Sequence, residues 1–299
     1  MALSFNLDFD PRHGEPVEVL PGVVRVTANN PGPFTFRGTN TYLVGKETLA
    51  VIDPGPEDND HLDALKAAIA GRPVSHIFVS HTHRDHSPLA KRLAEATGAN
   101  VLAEGTHRAA RPFSGKSLLD SGADLDFVPD VRLKDGQVIE GDGWALRTVL
   151  TPGHAANHAA FALEGANALF SADHVMGWST TIVAPPDGSM ADYMASLDRL
   201  IARQDGLLLP AHGGLITEPR EYMLGLREHR LARERAILDR LRQGDRTIGQ
   251  LVVAIYRDTN PKLYPAASLS VLAHLEDLVE RRLVETDRPA SIGGIFRTI

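Results

Sequence analysis

The chain has 299 residues, of which 43% are hydrophobic and 23% charged, an ordinary composition for a folded protein of one or two domains. It has no cysteine, which excludes disulfides, thiolate nucleophiles and cysteine-ligated zinc. Its net charge of −7 argues against a general nucleic-acid binder. No apolar run approaches the ~20 residues of a membrane span. The first residues lack the features of a secretory signal, so we expect a cytoplasmic protein.

The N-terminal third alternates strands and helices. Short apolar, β-branched runs predict strands at residues 23–27, 40–44, 48–52, 74–79 and 100–103. An apolar face predicts a helix over residues 58–70, and Pro88 opens a second helix that ends before Gly98. This order is α/β, and it puts the loop after strand 74–79 at the edge of a sheet where such folds place their sites.

The middle of the chain contains mainly strands. Turn signals separate predicted strands at residues 125–129, 137–140, 144–151, 158–163 and 168–172. An amphipathic helix over residues 190–203 and a strand at 206–209 follow. Each half of the chain is thus a sheet followed by helices. We expect two packed sheets with helices outside, an αββα sandwich.

The composition changes near residue 218, so we divide the chain into a catalytic domain, residues 1–218, and a C-terminal domain, residues 219–299. A first helix is predicted over residues 220–243. A second begins at the capping box of Thr247, and a third covers residues 268–282. Short strands at 284–286 and 295–297 would form a wing. Three helices and a small hairpin predict a winged-helix-like domain.

The motif HTHRDH, residues 81–86, directly follows a predicted strand. His81 and His83 are two residues apart, so in an extended segment their imidazoles would point the same way. Asp85 and His86 need the chain to turn, which presents a second pair of ligands nearby. One short loop could therefore serve two metal ions. Asp53, His154, Asp173 and His212 also follow apolar strands.

Residues 23–214 resemble the metallo-β-lactamase-fold hydrolase superfamily, whose motifs occur here in order, namely Asp53, HTHRDH, His154, Asp173 and His212. The tail and the segments GTNTYLVG, TPGHAANH and GWSTTIVAPPDGSM resemble the β-lactamase-like protein 2 group. Characterised animal members of that group are endoribonucleases.

The resemblance implies a centre with two metal ions. One ion would be held by His81, His83 and His154, and the other by Asp85, His86 and His212. Asp173 would bridge the ions, and Asp53 would orient the ligand loop. Nitrogen and oxygen donors suit two Zn²⁺ ions per chain, with Mn²⁺ or Fe²⁺ as alternatives. We expect His158, four residues after His154, to form a hydrogen bond within the ligand loop.

Two ions ~3.5–4 Å apart would lower the pKa of a shared water to about 7 and supply a bridging hydroxide as nucleophile. Asp85 and Asp173 are the candidate catalytic residues, and Asp85 could shuttle the proton. The predicted function is hydrolysis of a small ester, thioester, lactone or amide. The alternatives are cleavage of single-stranded RNA and, in a different class, regulation by nucleic-acid binding through the C-terminal domain.

The C-terminal domain bears on that choice. Between residues 220 and 246, eight arginines alternate with five acidic residues, which leaves a net charge of +3 and favours a salt-bridged face over a phosphate track. We therefore expect a small-molecule substrate, with RNA as the less favoured alternative, and no membrane partner. The sequence does not decide the oligomeric state. His174, Trp178 and Tyr193 are candidates for the substrate rim. Arg84 has no assigned role.

Overall fold

Two β-sheets face each other in the computed structural model of the protein, which describes residues 3–111 and 122–299. The first sheet has seven strands in the order β1 to β7. Pairs from β1 to β4 are antiparallel, and pairs from β4 to β7 are parallel. Its strands are Val17–Leu20, Val23–Thr27, Asn40–Val44, Leu49–Ile52, Val74–Phe78, Asn100–Ala103 and Val131–Arg132.

The second sheet has five strands in the order β12, β11, β10, β9, β8. Only the pair β11 and β12 is parallel. Strands β8 to β12 are Val138–Gly141, Trp144–Leu150, Ala159–Leu163, Ala168–Ala172 and Leu207–Pro210.

The strand predicted at residues 125–129 is wrong. Only Phe127 packs into a core, while Leu125 and Val128 are 59% and 72% exposed. This segment forms turns and irregular chain, and pairing begins only at Val131. Alternating apolar residues indicate a strand only where a neighbouring strand supplies hydrogen bonds.

Helices cover the outer faces of both sheets. Helix α1 (Asn59–Ile69) and helix α2 (Leu89–Thr97) cover the first sheet. Helix α3 (Met190–Arg203) and the first half of α4 (Pro219–Arg242) cover the second. The Asp58 side chain caps α1, and Gly98 ends α2 at φ +75°. The predicted αββα sandwich is confirmed.

Aromatic side chains fill the space between the sheets. Phe78 meets Phe161 edge to face at 5.2 Å, and Tyr42 lies 5.1 Å from Phe170. Burial of each such side chain stabilises the fold by about 1.5–3 kcal/mol. This packing fixes the strands whose ends carry the candidate site.

The C-terminal part is a small helical unit with its own core. It comprises the second half of α4, α5 (Ile248–Ile255), α6 (Tyr264–Glu280) and the antiparallel pair β13 (Val284–Thr286) and β14 (Phe296–Thr298). Both hydrogen bonds of the capping box at Thr247 are present. Helix α6 begins before the predicted residue 268. The winged-helix-like unit is confirmed.

In the part of the chain that the structure describes, no helix is long and apolar enough to span a bilayer.

Candidate metal centre

The candidate ligands converge because four strands end at the same place. Asp53 follows β4 and the HTHRDH loop follows β5, its parallel neighbour. Asp173 and His212 follow β11 and β12, the parallel pair of the other sheet. The C-terminal edges of both sheets therefore present these side chains to one point.

Three imidazoles form the first group of ligand atoms. His83 Nδ1 lies 2.9 Å from His81 Nε2 and 3.0 Å from His154 Nε2. His154 follows Gly153, whose φ is +141° and where a side chain would meet the backbone of Tyr193 in α3. That close approach holds the His154 loop against helix α3.

Four side chains form the second group, and the ligand atoms within each group lie within 4.8 Å of one another. Asp85 Oδ2 lies 3.2 Å from both His86 Nε2 and His212 Nε2. Asp173 Oδ1 is 3.3 Å from His212 Nε2. The second group thus contains two imidazoles and two carboxylates.

Asp173 faces both groups. Its Oδ2 lies 3.6 Å from His154 Nε2, while its Oδ1 approaches His212 and, at 3.6 Å, His86. The preceding residue, Ala172, has φ +44°, a conformation that non-glycine residues rarely adopt. The backbone is held in a strained state where it aims this carboxylate.

The donors fit a metal ion. His86 Nε2 and His212 Nε2 are buried 3.6 Å and 3.3 Å from Asp173 Oδ1, which is also buried, but none of the three makes a hydrogen bond with a described residue. Buried polar atoms without hydrogen bonds are costly, and a divalent cation would satisfy all three. Imidazole and carboxylate donors suit Zn²⁺, Mn²⁺ or Fe²⁺.

Charge neighbours keep the carboxylate ready for a cation. Burial alone would raise the pKa of Asp173, but His212 and His86 hold it well below its usual range. Burial, together with the adjacent His86 and His83, holds the pKa of His81 well below its usual value. His81 is therefore neutral, the form in which imidazole binds metals.

Asp53 anchors the ligand loop. Its Oδ1 accepts a hydrogen bond from Ser80 N at 2.7 Å, and its Oδ2 accepts one from Ser80 Oγ at 2.7 Å. The same Oδ2 lies 3.0 Å from His86 Nδ1. One buried carboxylate thus fixes the start of the loop and turns the His86 Nε2 toward the cluster.

His158 lies behind Asp173. Its Nε2 accepts a hydrogen bond from Asp173 N at 3.3 Å, so its Nδ1 carries the proton and donates to Thr151 Oγ1 at 2.8 Å. Burial and the neighbouring His174 hold the pKa of His158 well below its usual value. It contacts the ligand loop as a neutral hydrogen-bonding group.

The proposed substrate rim is wrong for two of its three members. His174 and Tyr193 are fully buried, with ring centroids 4.6 Å apart. Burial, followed by the effect of His154, lowers the pKa of His174 to about 3. Trp178 is partly exposed but stacks on Phe36 at 4.9 Å and is not among the described residues that line the cavity. The sequence does not show that His174 and Tyr193 are buried, because their burial results from the packing of α3 and α4 on the second sheet.

Two residues that the sequence analysis missed support this site, Asp187 directly and Arg230 through the backbone next to it. Asp187, which is 4% exposed, lies 2.9 Å from His83 Nε2 through its Oδ2. Arg230 of α4 is buried and donates to the carbonyl oxygen of Thr181. Asp187 lies between Trp178 and Tyr193, two of the rim candidates, but its Asp-Gly dipeptide indicates only a turn.

Arg84, which had no assigned role, is exposed and donates through Nε to the carbonyl oxygen of Ala123 at 2.9 Å. Its backbone N–H donates to the Gly122 carbonyl at 2.9 Å. Arg84 therefore ties the ligand loop to the chain at residues 122–123.

A cavity of about 570 Å³ opens beside both ligand groups. His83, Asp85, His154 and Asp173 lie at its base. Its size is in the range of small-molecule sites.

Comparison with known proteins identifies the family. Residues 34–212 match the model of the Metallo-beta-lactamase superfamily, and residues 247–289 match that of the Beta-lactamase associated winged helix domain. The Beta-lactamase-like protein 2 homolog of Caenorhabditis elegans is 31% identical, with 91% of this chain and 90% of that protein covered. The Atrochrysone carboxyl ACP thioesterase AgnL7 of Paecilomyces divaricatus is 32% identical over 79% of this chain and 71% of its own length.

Solved structures show the same fold. A metallo-beta-lactamase family protein from Thermus thermophilus has a TM-score of 0.76 at 25% identity, covering 94% of this chain and all of that one. A Beta-lactamase domain protein from Burkholderia ambifaria has a TM-score of 0.82 at 23% identity, with 98% and 96% covered.

Proposed function

Given that the chain belongs to the metallo-β-lactamase superfamily, we propose that it is a dinuclear zinc hydrolase that cleaves a small ester, thioester, lactone or amide. Asp173 carries the proposal, because its two oxygens face the two groups of ligand atoms. One ion would be held by His81, His83 and His154. The other would be held by Asp85, His86 and His212, and Asp173 would contact both ions. Mn²⁺ or Fe²⁺ would suit the same donors.

Two bound ions would supply a water of lowered pKa and an electrophile for the scissile oxygen. The chain itself supplies positioning and proton transfer. Asp85 is a quarter exposed and lines the cavity, so its carboxylate can accept a proton from the attacking water. Asp53 and His158 hold the loops that carry the ligands, which fixes the geometry before substrate binds.

The charged side chains of helix α4 favour a carbonyl substrate over RNA. Arginines of α4 are paired with acidic side chains, as in Arg227 with Asp198 at 2.6 Å and Arg242 with Asp239 at 2.8 Å. Paired guanidinium groups offer little to a phosphate backbone. Relatives that include the thioesterase AgnL7 support a thioester as the substrate class to test first.

The test compares metal-free protein with protein loaded with zinc or manganese, on aryl esters, thioesters, lactones and single-stranded RNA. We expect metal-dependent hydrolysis of a carbonyl substrate. His81→Ala and Asp173→Ala should lose metal content and activity together, by at least about 100-fold in kcat/KM. His13→Ala, at an exposed position, is the control. Full activity of either ligand variant after chelation, or activity on RNA alone, would contradict the proposal.

A further inference from the structure

The cavity beside the candidate metal centre is built by both parts of the chain. Met176, Ile182 and Ala184, from the segment after Asp173, form one side. Pro265, Ala266 and Leu269, from the start of α6, also line it. Ile292, from the connection between β13 and β14, completes it. The C-terminal unit is therefore the outer wall of the cavity.

The chemistry of the lining changes along the cavity. Its ionisable side chains all belong to the candidate metal centre or contact it, since Asp85, Asp173 and Asp187 accompany the ligand histidines. The other described lining residues are mainly apolar, including Phe34, Ile182 and Leu269, and Ser268 contributes one hydroxyl. None of the described residues that line the cavity is a lysine or an arginine. An anionic group would find no counter-charge there, whereas an apolar group would be removed from water.

We propose that this cavity binds an apolar acyl group, and that the C-terminal unit thereby sets the acyl specificity of the enzyme. This inference rests on the proposed function, because the scissile carbonyl must lie at the base beside Asp85 and Asp173. An acyl chain attached to that carbonyl then extends between Ile182 and Leu269. A volume of about 570 Å³ leaves room for far more than an acetyl group.

The substrate series that tests this is a set of thioesters of one thiol, N-acetylcysteamine, with straight acyl chains of increasing length from acetyl to octanoyl. Each methylene that enters an apolar site adds about 0.8 kcal/mol, equivalent to about a fourfold gain in kcat/KM. We expect kcat/KM of the metal-loaded full chain to rise along the series until the cavity is full.

Two substitutions alter the wall without touching the ligands. Leu269→Glu places a carboxylate in the cavity and should lower kcat/KM for octanoyl at least tenfold while changing that for acetyl less than threefold. Ala266→Trp fills the cavity and should shorten the preferred chain. Leu263→Glu, at a 43% exposed position outside the cavity, is the matched control and should retain the wild-type profile.

A flat profile in the wild type, or a rising profile that survives both wall substitutions, would overturn the acyl site while leaving hydrolysis intact. Absence of hydrolysis at every chain length, and on the esters, lactones and amides as well, would overturn the proposed function itself. The two failures are therefore distinguishable.

Discussion

Asp187 contacts His83 on the side of the imidazole that faces away from the ligand cluster. A carboxylate at 2.9 Å from Nε2 keeps the proton on that nitrogen and leaves Nδ1 unprotonated toward His81 and His154. Asp53 performs the same task for His86 from the opposite side of the cluster. At the level of single residues, each of these acids selects a tautomer.

The variant Asp187→Asn tests this role. An amide has no charge and can turn its N–H₂ toward Nε2, so the tautomer of His83 is no longer fixed. We expect zinc affinity to fall about 10- to 100-fold, measured by competition with a chromophoric chelator. The control is Asp135→Asn, which removes an ion pair with Arg199 at the surface. Equal zinc affinity in Asp187→Asn and wild type would show that Asp187 does not act on the ligand.

Arg230 connects helix α4 to the segment around the candidate metal centre. Arg230 donates to the Thr181 carbonyl, and the Thr181 hydroxyl donates to the carbonyl oxygens of Asp173 at 2.6 Å and His174 at 3.1 Å. Arg230 also lies 5.0 Å from the Tyr193 ring centroid. The helix that leads into the C-terminal unit thus supports the backbone that carries the carboxylate between the two ligand groups.

The variant Arg230→Ala should loosen this segment. We expect zinc affinity to fall on the order of tenfold and the visible spectrum of the cobalt-loaded protein to change, because the coordination geometry follows the backbone of Asp173. Arg227→Ala is the matched control, since Arg227 lies on the same helix and pairs with Asp198 of α3 away from the site. An unchanged cobalt spectrum in Arg230→Ala would contradict this role, even if the variant were less stable.

The sequence predicts what is encoded locally. His81, His83, Asp85 and His86 occupy one loop after one apolar strand, so spacing alone suggests a shared centre. The fold class could also be predicted, because each strand and helix is indicated by a local pattern and their order along the chain defines the class. The metal-binding roles themselves stay predictions until an ion is measured.

The remainder depends on contacts that no local pattern contains. Asp187 is 104 positions from its partner His83, and Arg230 is 49 positions from Thr181. Alternating charges on α4 predict a solvent face, and most of its arginines follow that rule, but Arg230 is turned inward because α4 packs on α3. The packing of α3 and α4 also buries His174 and Tyr193, so neither is exposed at the substrate rim.

On the scale of the whole molecule, the two parts share buried polar groups as well as the cavity. His274 of α6 is 1% exposed, and neither ring nitrogen has a hydrogen-bond partner in the described ranges, residues 3–111 and 122–299. Burial, and then the nearby Arg230 and Arg233 of α4, hold the pKa of His274 well below 6.5. This histidine is neutral where α4 and α6 meet.

That neutrality predicts acid sensitivity. Above pH 6.5 the imidazole is neutral in both folded and unfolded chains. Below pH 6.5 only the unfolded chain takes up the proton, so the free energy of unfolding falls by up to about 1.4 kcal/mol per pH unit from this group. His274→Leu should remove that part of the slope in denaturant titrations of the metal-free protein between pH 7.5 and 5. His13→Leu, at an exposed position, should keep the wild-type slope. Parallel pH profiles for wild type and His274→Leu would show that His274 is not among the groups that couple acid to unfolding.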